Sequence, residues 1–300
     1  MSHVGVARAA VAVPRRRPGM PPYLWLLLPS ALFIALFFAL PFATVIVASF
    51  QHGPLHPQAG QLTLRNHWRF VRDGYYWLVV ARTFGLGLGV AAVCVLLGYP
   101  CAYAIARSTS RWKAIYIFLV ISPLVTSIVI RSYAWIVLLG QNGILNTLLL
   151  EHGILEQPLH LIYNWTGVVI ALTHVLLPYS ILSIASVLET IDPRIEEAAR
   201  VLGASRWRTL WRITLPLSVE GIGTAAILVF MLGIGSFVTV WLLGGTGTTV
   251  LSLLIYQQIT VAFDNNFAAV LGTFLVVSSA VILYAGARCF RVRGRDHVAG

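Results

Sequence analysis

Few side chains in this sequence could do chemistry, and they are rarely grouped. A serine nucleophile inside a membrane would need a Gly-x-Ser-Gly setting and a histidine base on a neighbouring helix. The nearest run is Gly233-Ile234-Gly235-Ser236-Phe237, which lacks the final glycine, and His174 lies on an earlier segment. Small residues at that spacing serve helix packing equally well. A phosphate-cradling loop needs glycines and a lysine. The only lysine, Lys113, follows Ser110-Arg111-Trp112 with no glycine nearby. Cys94, Cys101 and Cys289 lack metal-ligand spacing and read as small buried hydrophobes, the first two sharing one helix face. We therefore expect no catalytic residue, no metal and no cofactor. An ion-coupled carrier would bury acids along its path. Here Glu189 and Glu220 fall at the ends of apolar runs and Asp264 falls between two of them. That leaves Arg131 as the intramembrane charge, facing the bundle or snorkelling outward. Tyr133, Trp135, Tyr179, Phe237 and Trp241 could offer cation–π contacts to a positively charged solute.

The elements that hold these residues follow from composition. The 300 residues are 58% hydrophobic and 10% charged, against about 25% charged in soluble domains. Runs long enough to cross a bilayer as helices fall at about 24–49, 77–106, 114–139, 161–188, 219–243 and 267–289. The expectation is an all-α integral membrane protein with about six spans. A tail at 1–22 precedes one membrane domain at 23–290, and a tail at 291–300 follows it. The formal charge is +11, but the basic residues flank apolar runs, so they report topology and not nucleic acid. With the N-terminus inside, 16 of the 21 Lys and Arg fall on the cytoplasmic side. They are Arg8, Arg15 to Arg17, Arg107, Arg111, Lys113, Arg194, Arg200, Arg206, Arg208, Arg212, Arg288, Arg291, Arg293 and Arg295. Both termini are then cytoplasmic. In the last outer segment, Leu251, Leu254, Ile255 and Gln258 suggest a short amphipathic helix at the outer surface.

One inner loop, 189–217, is unlike a linker. Asp192 can cap a helix whose first residue is Pro193. Ile195, Ala198, Ala199 and Leu202 form an apolar stripe, and Gly203 stops the helix. Ser205 can cap a second helix with Trp207, Leu210, Trp211 and Thr214 inward and Arg208 and Arg212 opposite, ended by Leu215-Pro216. The expected shape is a bent pair of short helices, rich in small residues, onto which a partner could pack.

Glu197-Ala198-Ala199, Gly203, Ile213 and Leu215-Pro216 stand at the spacing of the EAA motif, and this sequence resembles the permease subunits of binding-protein-dependent ABC importers. The resemblance implies the type I, MetI-like importer fold in the bacterial inner membrane. In it, the loop is the coupling segment that sits in a groove of a cytoplasmic ATPase. The implied partners are a second permease subunit, two ATPase copies and a periplasmic solute-binding protein. The implied mechanism is alternating access, with ATP hydrolysed elsewhere and the first span reaching around the partner permease. A narrower likeness, to the spermidine/putrescine branch, rests on Arg131 to Gly140, Gly143 to Asn146, Leu177-Pro178-Tyr179 and Leu251 to Ala269. That branch often has a Trp-Pro pair and a glycine before its last span, where this chain has Asn265-Asn266-Phe267-Ala268-Ala269. The same machinery could carry an amino acid derivative, a phosphonate, iron or a sugar, and a membrane enzyme or secondary transporter stays a further alternative.

Overall fold

The computed structural model describes residues 22–52 and 60–296, so the N-terminal tail lies outside the described residues apart from Pro22. Among the described residues there is no strand, only an isolated bridge between Gln51 and Leu62. The chain divides at Val47 into two units. The first holds α1 (Pro22–Ile34), a π-type turn at Ala35–Ala39, and most of α2 (Leu40–Ser49). Its side chains from Leu27 to Leu40 are all exposed, the surface expected of a helix built to meet lipid.

The second unit begins with α3 (Arg65–Arg72) and α4 (Gly74–Ala106). Asp73 caps α4 by accepting the Tyr75 N–H at 2.9 Å, so the helix starts three residues before the expected 77. The expected span 114–139 is two helices, α5 (Lys113–Val125) and α6 (Ile128–Leu139), parted at an extended Thr126 and Ser127. Pro123 has no N–H for the Leu119 carbonyl, and the Ser122 hydroxyl donates to it instead at 3.1 Å. After α7 (Ile144–Glu151) comes α8 (Trp165–Thr190), which starts later than expected because Asn164 caps it through the Gly167 N–H.

Next come the short helices α9 (Pro193–Val201), α10 (Arg206–Thr209) and α11 (Leu215–Leu217), with a π-type turn at Leu210–Thr214. The expected fifth span is α12 (Val219–Gly235) followed by α13 (Val238–Leu243). It breaks where the Ser236 hydroxyl turns back onto the Leu232 carbonyl at 2.9 Å. α14 (Leu251–Thr260) and α15 (Asn265–Asp296) complete the described residues, α15 running past the expected end at 289. Among the described residues five helices are long and apolar enough to cross a bilayer, or six when the Arg206–Leu217 and Val219–Gly235 pair, bent by 65°, counts as one.

α4, α8 and α12 form the centre. Leu86, Val90 and Cys94 pack against Val168, Leu172, Val175, Val229 and Phe230. Small residues set the spacing: a Cβ on Gly87 would lie 2.7 Å from Ile234 Cγ2, and one on Gly98 would lie 2.9 Å from Ser180 Oγ. Two expectations need correction. Cys94 is buried but Cys101 is exposed, because the buried stripe of α4 drifts through Gly98, Ala102 and Ile105 and passes Cys101 by. α14 is packed into the bundle and is not laid over it. It buries Leu251, Leu253 and Leu254, and the Leu251 N–H donates to the buried Thr83 Oγ1 at 2.7 Å.

Gly87→Val should destabilise the bundle by about 1–3 kcal/mol through overpacking. Gly89→Ala, which meets open space, should be neutral. A thermal unfolding midpoint in detergent that is equal for both variants would contradict the close approach of α4 and α12.

Candidate functional site

The 189–217 loop folds as the local chemistry dictates. Asp192 Oδ1 accepts the Arg194 N–H at 2.9 Å with Pro193 at the first helical position. Gly203 ends the run with φ +88°, a left-handed conformation that suits glycine. The Ala204 N–H then bonds back to the Ala199 carbonyl at 3.0 Å. Ser205 Oγ accepts the Arg208 N–H at 3.3 Å, which opens α10. The result is an elbow of two short helices leading into α12.

The faces of this elbow differ from the expected stripes. On α9 the buried residues are Glu196, 2% exposed, and Ala199, whereas Leu202 is 87% exposed and Ile195 and Ala198 also face outward. In the second arm Thr214 is buried and Leu210 half-buried, but Trp207 and Trp211 are 71% and 62% exposed. A counter-charge decides the rotation. Arg107, one residue past α4, donates to Glu196 Oε1 from Nε at 3.1 Å and from Nη2 at 2.8 Å. Its Nη1 donates to the Leu188 and Ile191 carbonyls at the end of α8, both at 3.1 Å. Tyr103 Oη donates to Glu196 Oε2 at 2.9 Å, and Thr214 Oγ1 donates to Oε1 at 3.1 Å. Turning α9 to bury Leu202 instead would strand the carboxylate and the guanidinium, which outweighs one leucine.

Glu196 escaped the sequence reading, which singled out its neighbour Glu197. Arg107 stands 89 positions away, so spacing offers no cue. The available signal is that Glu196 shares a helix face with Ala199. Lys113 is accounted for by an ion pair with Glu189 at 2.8 Å, joining the start of α5 to the end of α8.

The other motif residues divide by exposure. Glu197, Ala198 and Gly203 face outward, while Ile213, Leu215 and Pro216 are half-buried and seat the elbow. An open cleft of about 440 Å³ beside Glu196 is lined by Tyr103, Arg200, Arg206, Trp207 and Leu210.

The pathway candidates do not form one cluster. Phe237 stacks on Tyr256 at 5.2 Å between ring centroids, and Trp241 meets the same ring at 5.8 Å. Trp135 donates from Nε1 to His174 Nδ1 at 3.2 Å. Tyr179 packs half-buried on the central core, and Tyr133 is exposed. Arg131 is half-buried, and its Nε and Nη1 lack a hydrogen-bond partner among the described residues. The Ser236 hydroxyl donates to the Leu232 carbonyl, and His174 Nδ1 accepts from Trp135.

The chain is similar to known proteins in both sequence and fold. The family model described as "Binding-protein-dependent transport system inner membrane component" matches residues 94–293. The spermidine/putrescine transport system permease protein PotB of Haemophilus influenzae is 33% identical over 208 residues, covering 69% of this chain and 73% of that one. The molybdenum transport system permease protein ModB of Mycobacterium bovis is 34% identical over 201 residues, covering 65% and 73%. A solved chain of a bacterial ABC transporter involved in the import of the acidic polysaccharide alginate superposes with a TM-score of 0.71, covering 90% of this chain and 94% of that one at 20% identity. The fold is thus that of ABC importer permeases, all-α and spanning a membrane. The chain belongs to the family of inner-membrane components of binding-protein-dependent transport systems.

Burial works to raise the Glu196 pKa, but the Arg107, Tyr103 and Thr214 hydrogen bonds and the Arg107 charge more than offset it, holding the carboxyl below its ordinary value. A group so depressed stabilises the fold fully above the ordinary carboxylate range and loses that contribution as pH falls through its folded value. Protease cleavage in the elbow should therefore be slow at neutral pH, begin to rise as pH falls through the ordinary carboxylate range and level off below the folded value of Glu196. In Glu196→Gln cleavage should be fast and flat across that range; a pH-dependent rise persisting in that variant would assign the transition to another group.

Proposed function

We propose that this chain is a non-catalytic permease subunit of an ATP-driven importer, in which the 189–217 elbow couples a separate cytoplasmic ATPase to the spans. The observation that carries the reading is the division of the elbow. Glu197, Ala198, Gly203, Leu202 and Trp207 face outward for a partner, while Glu196, Ala199 and Thr214 are turned inward. Large apolar side chains left exposed outside the spans need cover, and a docked ATPase would supply it. The partners in this reading are a second permease subunit, two ATPase copies and a periplasmic solute-binding protein. Both termini and the elbow lie in the cytoplasm, supported by the Lys/Arg bias. Closure of the ATPases would move the elbows, and the permease halves would rock between two access states.

The cargo proposed is a polyamine such as spermidine or putrescine, supported by the Haemophilus influenzae relative. Selection would rest with the binding protein, since the spans carry no central carboxylate. Phe237, Trp241 and Tyr256, gathered around one spot, are the aromatics best placed to meet a cation in transit. One observation favours a second cargo class, a small oxyanion. Arg131 is a cation without a hydrogen-bonded acceptor on its Nε and Nη1, and a molybdenum permease is among the relatives.

Gly203→Val forces a β-branched side chain into a left-handed conformation at a cost of about 1–2 kcal/mol. That variant and Glu197→Ala should each insert normally yet uncouple ATP hydrolysis from uptake. Normal uptake in both would sink the coupling role. Uptake of radiolabelled putrescine should depend on the binding protein and resist molybdate. If molybdate is taken up and putrescine is not, the polyamine reading fails and the permease reading stands.

A further inference from the structure

The two adjacent glutamates of the elbow have opposite surroundings, and the difference assigns them different tasks. Glu197 is exposed; Glu196 is 2% exposed and accepts four hydrogen bonds from three residues. Those bonds reach beyond the elbow. Tyr103 and Arg107 belong to the end of α4, Thr214 leads into α12, and through Arg107 two carbonyls at the end of α8 are held as well. The three helices thus tied are the same three that form the central core. Among the described residues the other polar ties of α9 are local or exposed: Asp192 caps its own helix, and Arg200 reaches Glu196 only at 3.8 Å with half its side chain in solvent.

Building on the permease reading, we infer that Arg107 and Glu196 are positioning residues for coupled transport: they form a rigid pin that makes the elbow and the near ends of α4, α8 and α12 move as one body. A push on the outer face of α9 then passes into the central helices without loss, because α9 cannot slide without parting a buried, fully bonded pair. Parting it leaves an uncompensated charge in a low-dielectric site, and swinging the helix on exposed contacts alone meets no such barrier. Glu197, one residue on, has no bond to the spans and is free to meet the partner.

The test uses the complete complex of this chain, the second permease, the ATPase and the binding protein, reconstituted in liposomes with putrescine as the probe. Glu196→Gln keeps the shape and removes the charge. Uptake per ATP hydrolysed should fall by about tenfold or more, as for loss of a buried pair, while the complex still co-purifies. Glu196→Asp and Arg107→Lys, which keep the charges with poorer geometry, should recover part of the ratio. A merely structural role would lower the yield of complex and leave the ratio unchanged, and that result would overturn the inference.

Should Glu196→Gln fail to accumulate, a second measurement decides. Tyr103 and Arg200 line the same cleft, and Tyr103→Cys with Arg200→Cys, in a chain lacking the native cysteines, can be bridged by a short thiol reagent. If α4 and α9 move together, the bridge leaves uptake per ATP as it was before bridging. A loss of uptake that reduction reverses would show that the two move apart and would overturn the pin. Wild-type chain that never co-purifies with an ATPase fails the permease reading itself, a result distinct from either of these.

Discussion

A charge near the edge of a lipid-buried bundle must find its opposite or stay in water, and Arg107 with Glu196 resolves that choice for the whole elbow. The carboxylate is nearly sealed, and each of its oxygens and each nitrogen of the guanidinium is engaged. Buried pairs are poor evidence of net stability, since desolvation offsets the attraction, but breaking one costs about 3–5 kcal/mol. An exposed pair such as Arg69–Asp264, at 3.4 Å with half of the arginine in solvent, contributes about 0–1 kcal/mol. The buried pair therefore fixes geometry. It sets the rotation of α9, and through that rotation which residues of the motif are offered outward.

The bundle above the pin obeys a second constraint, that backbone groups away from water need partners. At both interruptions a serine takes a carbonyl that the ladder leaves open, Ser122 on Leu119 and Ser236 on Leu232. The two broken segments also meet each other, through Ser132 Oγ and Thr239 Oγ1 at 3.4 Å. Where helices run unbroken, Gly87 and Gly98 let α4 approach α12 and α8 closely. Dispersion between close backbones replaces the hydrophobic drive that lipid removes.

Much of this was legible in the residues themselves. Apolar runs announce the spans, and Asp192-Pro193, Gly203 and Ser205 each announce a helix end, because capping and left-handed turns are local events. What stayed hidden depends on contacts distant in sequence. Periodicity marks Leu202 and Trp207 as inward, yet they point out, since the pair formed across 89 positions outweighs a local stripe. The same limit hid α14, whose alternation of Leu251, Leu254 and Gln258 suits a surface helix until Thr83, 168 positions earlier, takes the Leu251 N–H. The break within the fifth span is equally quiet in an apolar pattern, because hydropathy does not register where one carbonyl loses its donor, whereas the break in the third is marked in the sequence by Pro123.

The outer face of the elbow carries the last step. Leu202, Trp207, Trp211 and Val201 are each more than half exposed, within a few residues of Arg194, Arg200, Arg206, Arg208 and Arg212. Exposed apolar side chains interspersed with positive charge are a liability for a free chain and an asset at an interface, where apolar contact supplies affinity and charge selects the partner. With those apolar residues turned outward, the interior of the elbow is held by a charge pair instead. Polar inside and apolar outside is the inverse of an ordinary loop, and under the proposed coupling role it lets one segment grip the membrane bundle on one face and a separate protein on the other.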